Sequence, residues 1–230
     1  MIELYTWTTP NGYKISIMLE EIGLPYEVRP IDINTGDQFE PAFLRISPNN
    51  RIPAIVDTEG PAGRPYSLFE SGAILLYLAE KSGRLLSTQP EERYDAIQWL
   101  MFQMGNIGPM LGQTHHFRHY APETLTYAVD RYTNEANRLY GVLDRRLADH
   151  EHLAGDYSIA DIATYPWLRN PNRQGVAIDD YPNVKRWRDG IAERPAVKRG
   201  LAVLAERARQ GPLDDRAREV LFGKTQYRRR

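Results

Sequence analysis

Apolar and polar residues alternate over Ile2 to Thr6 in the manner of a short strand. Thr9-Pro10-Asn11-Gly12 then brings capping and turn chemistry, and Ile15, Met18, Leu19 and Ile22 recur with helical spacing until Gly23 stops them. Tyr26 to Ile33 alternates again as a second strand, and Pro41 to Ser47 has the makings of a short helix. Pro53 to Asp57 and Tyr66 to Phe69 read as two further strands joined through the Gly60 to Pro65 turn. From Ser71 the pattern is helical, with Ile74, Leu75, Tyr77 and Leu78 on one face and Gly83 as the stop.

Ser82 to Pro90 mixes Gly, Ser, Thr and Pro without periodicity, as a linker does. Beyond it every segment favours helix: Glu91 to Leu111, Pro122 to Ala148, Ser158 to Leu168, Pro182 to Ala192 and Pro195 to Arg209. The tail from Gln210, with Gly211-Pro212 and mixed charge, is expected to wrap the surface or be partly mobile. Strands with two helices followed by helices alone predict an α+β fold, with a mixed domain at residues 1–82, an all-α domain at 91–209 and a tail at 210–230.

Composition narrows the chemistry. With 42% hydrophobic and 26% charged residues, the 230-residue chain can bury a sizeable core. A net charge of -1 argues against nucleic acid as a partner, and the basic terminus Arg228 to Arg230 reads as solvated. Glu3, Glu20 and Glu21 stand where a secretory signal would be basic and apolar, and no apolar run is long enough for a membrane, so the cytoplasm is the expected compartment. The zero cysteine count excludes disulfides, thiolate metal sites and a protein-borne redox thiol. Any sulfur chemistry here must use a bound thiol.

Three stretches carry candidate chemistry. Glu70-Ser71 lies where the fourth strand meets a helix, so an acid for an ammonium and a hydroxyl with helix amides for a carboxylate sit side by side; the plainer reading makes Ser71 an ordinary N-cap. Thr9 to Asn11 lies at the start of the first helix, where free N–H groups and the dipole stabilise a thiolate. Thr9 is equally a plain N-cap with Pro10 at the first helical position. Arg51-Ile52-Pro53 precedes the third strand. Ser158-x-x-Asp161 is a reciprocal helix cap and is read as structural. His115, His116 and His119 invite a metal, but no neighbouring carboxylate or cysteine completes a zinc set, so the expectation is no metal. Arg138, Arg145 and Arg146 read as a solvated helix face.

The stretches Thr9 to Gly12, Phe43 to Ile55, Leu68 to Leu78, Gly108 to Gln113, His115 to Phe117 and Tyr157 to Ile162 resemble the bacterial nu-class glutathione transferases, over most of the chain except its C-terminal tail. The resemblance implies a thioredoxin-like N-terminal domain followed by an all-helical one. It implies a homodimer that binds two glutathiones, or one glutathione disulfide, per site and reduces small disulfides without a protein cysteine. By the same resemblance Asn11, Gln38, Arg51, Ile52, Pro53, Glu70 and Ser71 of one subunit bind glutathione, with Arg131 supplied by the partner. Pro53 is expected to be cis, so that the Ile52 backbone pairs with the cysteinyl unit of the tripeptide as in an added strand. Thr9 and Asn11 are the expected sulfur-proximal catalytic residues, ahead of Tyr5, the rival hydroxyl used by some glutathione transferases. Conjugation of electrophiles, peroxide reduction, or a non-catalytic binding module are the alternatives.

Overall fold

A computed structural model of the chain describes residues 1–209 and 211–228. Gln210, which opens the expected tail, and Arg229 and Arg230 of the expected basic terminus lie outside the described residues.

Compactness divides the chain into one unit made of Met1–Ile74 with Arg199–Arg230, and a second made of Leu75–Lys198. In the first unit, β1 (Ile2–Thr6), β2 (Tyr26–Pro30), β3 (Ala54–Asp57) and β4 (Tyr66–Phe69) form one sheet in the order β2-β1-β3-β4. The β1/β2 pair is parallel and the other two pairs are antiparallel. Helix α1 (Pro10–Ile22) makes the crossover between the parallel strands, followed by the short α2 (Pro41–Leu44). This is the thioredoxin-like arrangement that the family resemblance implies, within the α+β class that the strand and helix order predicts. The second strand stops at Pro30, short of the expected Ile33, because Asp32 to Phe39 closes on itself through Asp32 and Asp37 hydrogen bonds.

Two glycines set close approaches in this unit. A Cβ on Gly12 would fall 2.2 Å from the Trp7 carbonyl oxygen, so only glycine lets the first turn of α1 lie against the loop leaving β1. A Cβ on Gly200 would fall 2.6 Å from Ile17 Cα; there α9 (Pro195–Ala202) crosses α1, and Ser16 Oγ donates to the Gly200 carbonyl at 2.7 Å. Helix α9 is thus shorter than the expected Pro195 to Arg209. The tail contains a helix that the sequence pattern does not predict: Asp215–Phe222 forms α10, capped by Asp214 Oδ1, which accepts from Ala217 N at 2.7 Å, with Leu213, Ala217 and Val220 buried.

Helix α3 (Ser71–Ser82) leads out of the first unit, and the second unit is helical. The expected helix from Glu91 to Leu111 runs on instead from Pro90 to Tyr120: α4 (Pro90–Phe102), a wide π-helical turn at Gln103–Ile107, α5 (Gly108–His115), and a second wide turn at His116–Tyr120. The first wide turn falls just ahead of Pro109, which has no N–H for an ordinary ladder. Helix α6 spans Thr126–Ala148, starting later than the expected Pro122, and α7 (Ile159–Leu168) and α8 (Pro182–Ala192) complete the unit. The cap ahead of α7 is reciprocal as read from the sequence: Ser158 Oγ accepts from Ala160 N at 3.2 Å, and Asp161 Oδ2 accepts from Ser158 N at 3.0 Å. Asp161 Oδ1 also accepts from Leu153 N at 3.0 Å and Trp187 Nε1 at 2.7 Å, so this fully buried carboxylate ties three segments together. Arg146 is not on a solvated face; it pairs with Asp95 at 2.9 Å, donates to the Leu153 carbonyl and packs over Trp99. No helix among the described residues is long and apolar enough to cross a membrane.

Candidate functional site

Of the predicted residues of the first unit, Thr9 and Asn11 follow β1, Arg51 to Pro53 precede β3, Glu70 and Ser71 follow β4, and Gln38 lies between β2 and α2. Thr9 caps α1 in extended conformation, its Oγ1 accepting from Gly12 N at 3.1 Å, with Pro10 next in the helix. That bond uses an oxygen lone pair and leaves the hydroxyl proton available to a further acceptor. Asn11 follows in the first turn, half-buried. Thr9 and Asn11 therefore stand at the positive end of a 13-residue helix that carries no acidic side chain in its first turn.

Tyr5 is placed differently. Its hydroxyl donates to Glu3 Oε2 at 3.1 Å on the same face of β1, and burial together with that bond holds the phenol above its ordinary pKa. A phenol in that state is a poor stabiliser of a thiolate, which ranks it behind the helix start.

Ile52-Pro53 is a cis peptide bond. Ile52 lies just outside the β3/β4 ladder, which begins at Ala54, and its side chain packs on the small core of Ile31, Phe43 and Ala54. Arg51 is exposed, and its carbonyl accepts from the buried Ser47 hydroxyl at 2.8 Å, a contact that pins the loop ahead of Pro53. Sequence reasoning passed over Ser47. Gln38 is 3% exposed: its Nε2 donates to the Ile33 carbonyl at 3.1 Å, while its buried Oε1 has no partner among the described residues. A buried amide oxygen without a donor is costly, and a ligand N–H would satisfy it.

At the β4–α3 junction Glu70 is exposed and adopts the left-handed conformation, φ 72°. For a residue with a Cβ that conformation costs about 1–2 kcal/mol, and non-glycine residues held in it cluster at ligand sites. The Glu70 carbonyl accepts from Ile74 N at 2.9 Å, so Glu70 occupies the cap position and Ser71 is the first residue of the helix. The plain N-cap reading of Ser71 is thereby corrected. Ser71 is buried, and its Oγ lies 3.2 Å from the ammonium nitrogen of Lys14, which donates to it.

Lys14 is the residue that sequence reasoning missed. It is 1% exposed, on the same face of α1 as Met18, and burial pushes its pKa down to about 7, against the opposing pull of the Glu70 carboxylate. The signal available was its position: a lysine four residues before Met18 interrupts an otherwise apolar stripe.

Arg131 lies in the other compact unit, on α6 at an exposed position in a pocket with Met110 and Tyr127. It is not brought together with the other predicted residues within the first unit. His115 is half-buried, with its Nε2 enclosed, and stacks on Trp167 with centroids 6.1 Å apart; desolvation lowers its pKa to about 4. His119 Nε2 meets the Arg173 carbonyl at 2.7 Å. These two rings are absorbed in packing.

Residues 1–80 match the family model for the glutathione S-transferase N-terminal domain, and residues 108–195 match that for the C-terminal domain. With these matches and the fold above, the chain belongs to the glutathione transferase family. It is 54% identical over 203 residues to the disulfide-bond oxidoreductase YfcG of Escherichia coli K12, covering 87% of this chain and 94% of that protein. Among solved structures it is similar to a glutathione transferase family member from Pseudomonas fluorescens with two glutathiones bound, at 53% identity and TM-score 0.84, over 87% of this chain and 92% of that one. It is also similar to a glutathione transferase from Pseudomonas putida with one glutathione disulfide bound per subunit, at 52% identity and TM-score 0.85, over 88% of this chain and 91% of that one.

Proposed function

We propose that the protein is a cytoplasmic, homodimeric glutathione-dependent disulfide-bond oxidoreductase of the nu class. The observation that carries the reading is its similarity to YfcG across nearly the whole of that protein, joined to a chain without cysteine. Two glutathione thiols supply the two electrons that reduce one disulfide and leave as glutathione disulfide. A reduced cytoplasmic glutathione pool is the setting this chemistry requires.

The residues of the first unit fit that ligand. Glu70 takes the γ-glutamyl ammonium, while Ser71 and the first amides of α3 take its carboxylate. The Ile52 backbone, outside the ladder, pairs with the cysteinyl unit beside Pro53 and Arg51, and Gln38 Oε1 accepts from a ligand N–H. Thr9 and Asn11, at the start of α1, stabilise the ionised sulfur and align it with the incoming disulfide. Arg131 of the partner subunit closes each site, which holds two glutathiones or one glutathione disulfide. The thioredoxin-like domain spans residues 1–82 and the helical domain 91–209, with the tail at 210–230; the family matches at 1–80 and 108–195 support that division.

The test compares purified protein in two assays with glutathione: reduction of 2-hydroxyethyl disulfide and conjugation to a halogenated aromatic electrophile. Disulfide reduction should dominate. Conjugation faster than disulfide reduction would overturn the assignment, and failure to bind glutathione would remove the protein from both activities.

A further inference from the structure

The Asp32 to Phe39 turn carries Gln38, whose Nε2 donates to the Ile33 carbonyl at 3.1 Å and whose buried Oε1 has no partner among the described residues. Where that oxygen points is set by the path of the turn. Short-range bonds shape it: Asp37 Oδ2 accepts from Asp32 N at 3.0 Å, Asp32 Oδ1 accepts from Asn34 N at 2.9 Å, and Thr35 Oγ1 donates to Asp37 Oδ1 at 2.8 Å. Bonds of this kind at a partly wetted surface contribute modestly, because water competes for the same groups.

A distant segment adds an apolar contact. A Cβ placed on Gly36, whose φ is 104°, would meet Val220 Cγ1 at 4.0 Å, so the Val220 side chain stands over the bare glycine backbone within the turn. Val220 is buried on α10 with Ala217, with Leu213 just ahead of the helix. The chain after α10 folds back on it: Gln226 Nε2 donates to the Val220 carbonyl at 2.9 Å, and the Thr225 amide and hydroxyl each donate to Glu219 Oε1 at 3.3 Å. Turn and helix belong to the same compact unit, and α10 lies outside the residues that the two family models match.

We propose that Val220 is a positioning residue for glutathione: from α10 it packs on Gly36 and holds the turn in the form that aims Gln38 Oε1 at the ligand N–H. The inference rests on the glutathione reading of the site. Linkage makes the effect mutual. If docked α10 favours the binding form of the turn, bound glutathione favours docked α10 by the same factor.

Calorimetry with glutathione under reducing conditions is the measurement. Val220→Ala, which withdraws both γ carbons, should weaken binding by about twofold to tenfold, the range for one neutral hydrogen bond. Val220→Ile, which keeps both γ carbons, should bind like the wild type. In a Gln38→Ala background the Val220→Ala loss should vanish, whereas in a Glu70→Gln background it should persist, because effects at independent positions add. Unaltered affinity in Val220→Ala, or a loss undiminished without Gln38, overturns the inference and leaves the glutathione reading intact. Wild-type protein that binds no glutathione overturns both. Should Val220→Ala fail to fold, hydrogen exchange of the wild-type protein decides: glutathione that slows amide exchange over residues 213–222 as well as 32–39 supports the inference, and an unprotected α10 sinks it.

Discussion

The Tyr5 hydroxyl donates to Glu3 Oε2 at 3.1 Å, so the phenol is engaged with a carboxylate of its own strand, whereas the Thr9 hydroxyl only accepts, from Gly12 N. The two candidates for sulfur activation are therefore separated by the direction of their protons. Tyr5→Phe should leave disulfide reduction near the wild-type rate. Thr9→Ala should slow it at pH 7 by about tenfold to a hundredfold, the worth of one donor to a charged group, and Asn11→Ala should act in the same direction. Thr9→Ala also removes a helix cap worth about 1 kcal/mol, and Thr9→Ser, which keeps both roles, is the control. A pH–rate profile is the measurement: loss that recovers as pH rises marks thiolate stabilisation. A Tyr5→Phe variant without activity beside an unaffected Thr9→Ala would reverse the assignment.

Glu70 is held in a left-handed conformation at an exposed position, and its carboxylate also acts on the buried Lys14. Glu70→Gln keeps the size and removes the charge. Glutathione affinity should drop roughly tenfold to a hundredfold, as expected for a charge-assisted hydrogen bond worth about 1.5–3 kcal/mol. Thermal stability should be nearly unchanged. Isothermal calorimetry checks the first claim and a melting curve the second; unaltered affinity would return Glu70 to a structural role.

The parts legible in the sequence are those whose cause is local. The cap at Thr9, the stop at Gly23, strand β4 and the Ser158–Asp161 box each depend on residues within a turn of one another, and each stands where the pattern placed it. Pro53 was legible only through family resemblance, since most X-Pro bonds are trans. What escaped depends on distant partners. Lys14 meets Ser71 57 residues along the chain, so its burial has no local signature beyond an interrupted stripe. Ser47 looks like any loop serine until its hydroxyl is seen on the Arg51 carbonyl. Helix α10 was hidden by its charge: its buried apolar residues are Ala217 and Val220, with Leu213 just ahead of it, too few for a periodicity argument beside so many polar neighbours.

His115 sets an acid limit on stability. Burial chiefly, with Arg173 and His119 adding repulsion, lowers its pKa to about 4, and its buried Nε2 has no hydrogen-bond partner among the described residues. The unfolded chain binds a proton at about pH 6.5 while the folded one stays neutral. Between those values the unfolded state holds more protons, so stability is complete above about pH 6.5 and is lost as pH falls toward 4, by roughly 2–3 kcal/mol in all. His115→Phe should keep the stack on Trp167 and abolish this slope. Urea unfolding at pH 7 and pH 5 should show the wild type losing about 2 kcal/mol more than the variant; equal losses would refute the assignment.

Arg131 is the one predicted ligand residue that the first compact unit does not contain, and it stands exposed on α6 beside Met110 and Tyr127. If it acts across a two-fold axis, as proposed, its removal should affect binding without affecting folding, because an exposed arginine contributes little to stability. Arg131→Ala should then weaken glutathione disulfide binding by about tenfold or more while the melting temperature stays within a degree or two. A mixed dimer gives the sharper measurement. Each site needs Glu70 from one chain and Arg131 from the other, so combining a Glu70→Gln chain with an Arg131→Ala chain leaves one site with both defects and one with neither. Such a mixture should regain one high-affinity site per dimer, which neither parent dimer has. If both residues instead served the same chain's site, every site in the mixed dimer would carry one defect, and no high-affinity binding would return. Titration of the tagged, purified heterodimer with glutathione disulfide distinguishes the two outcomes directly.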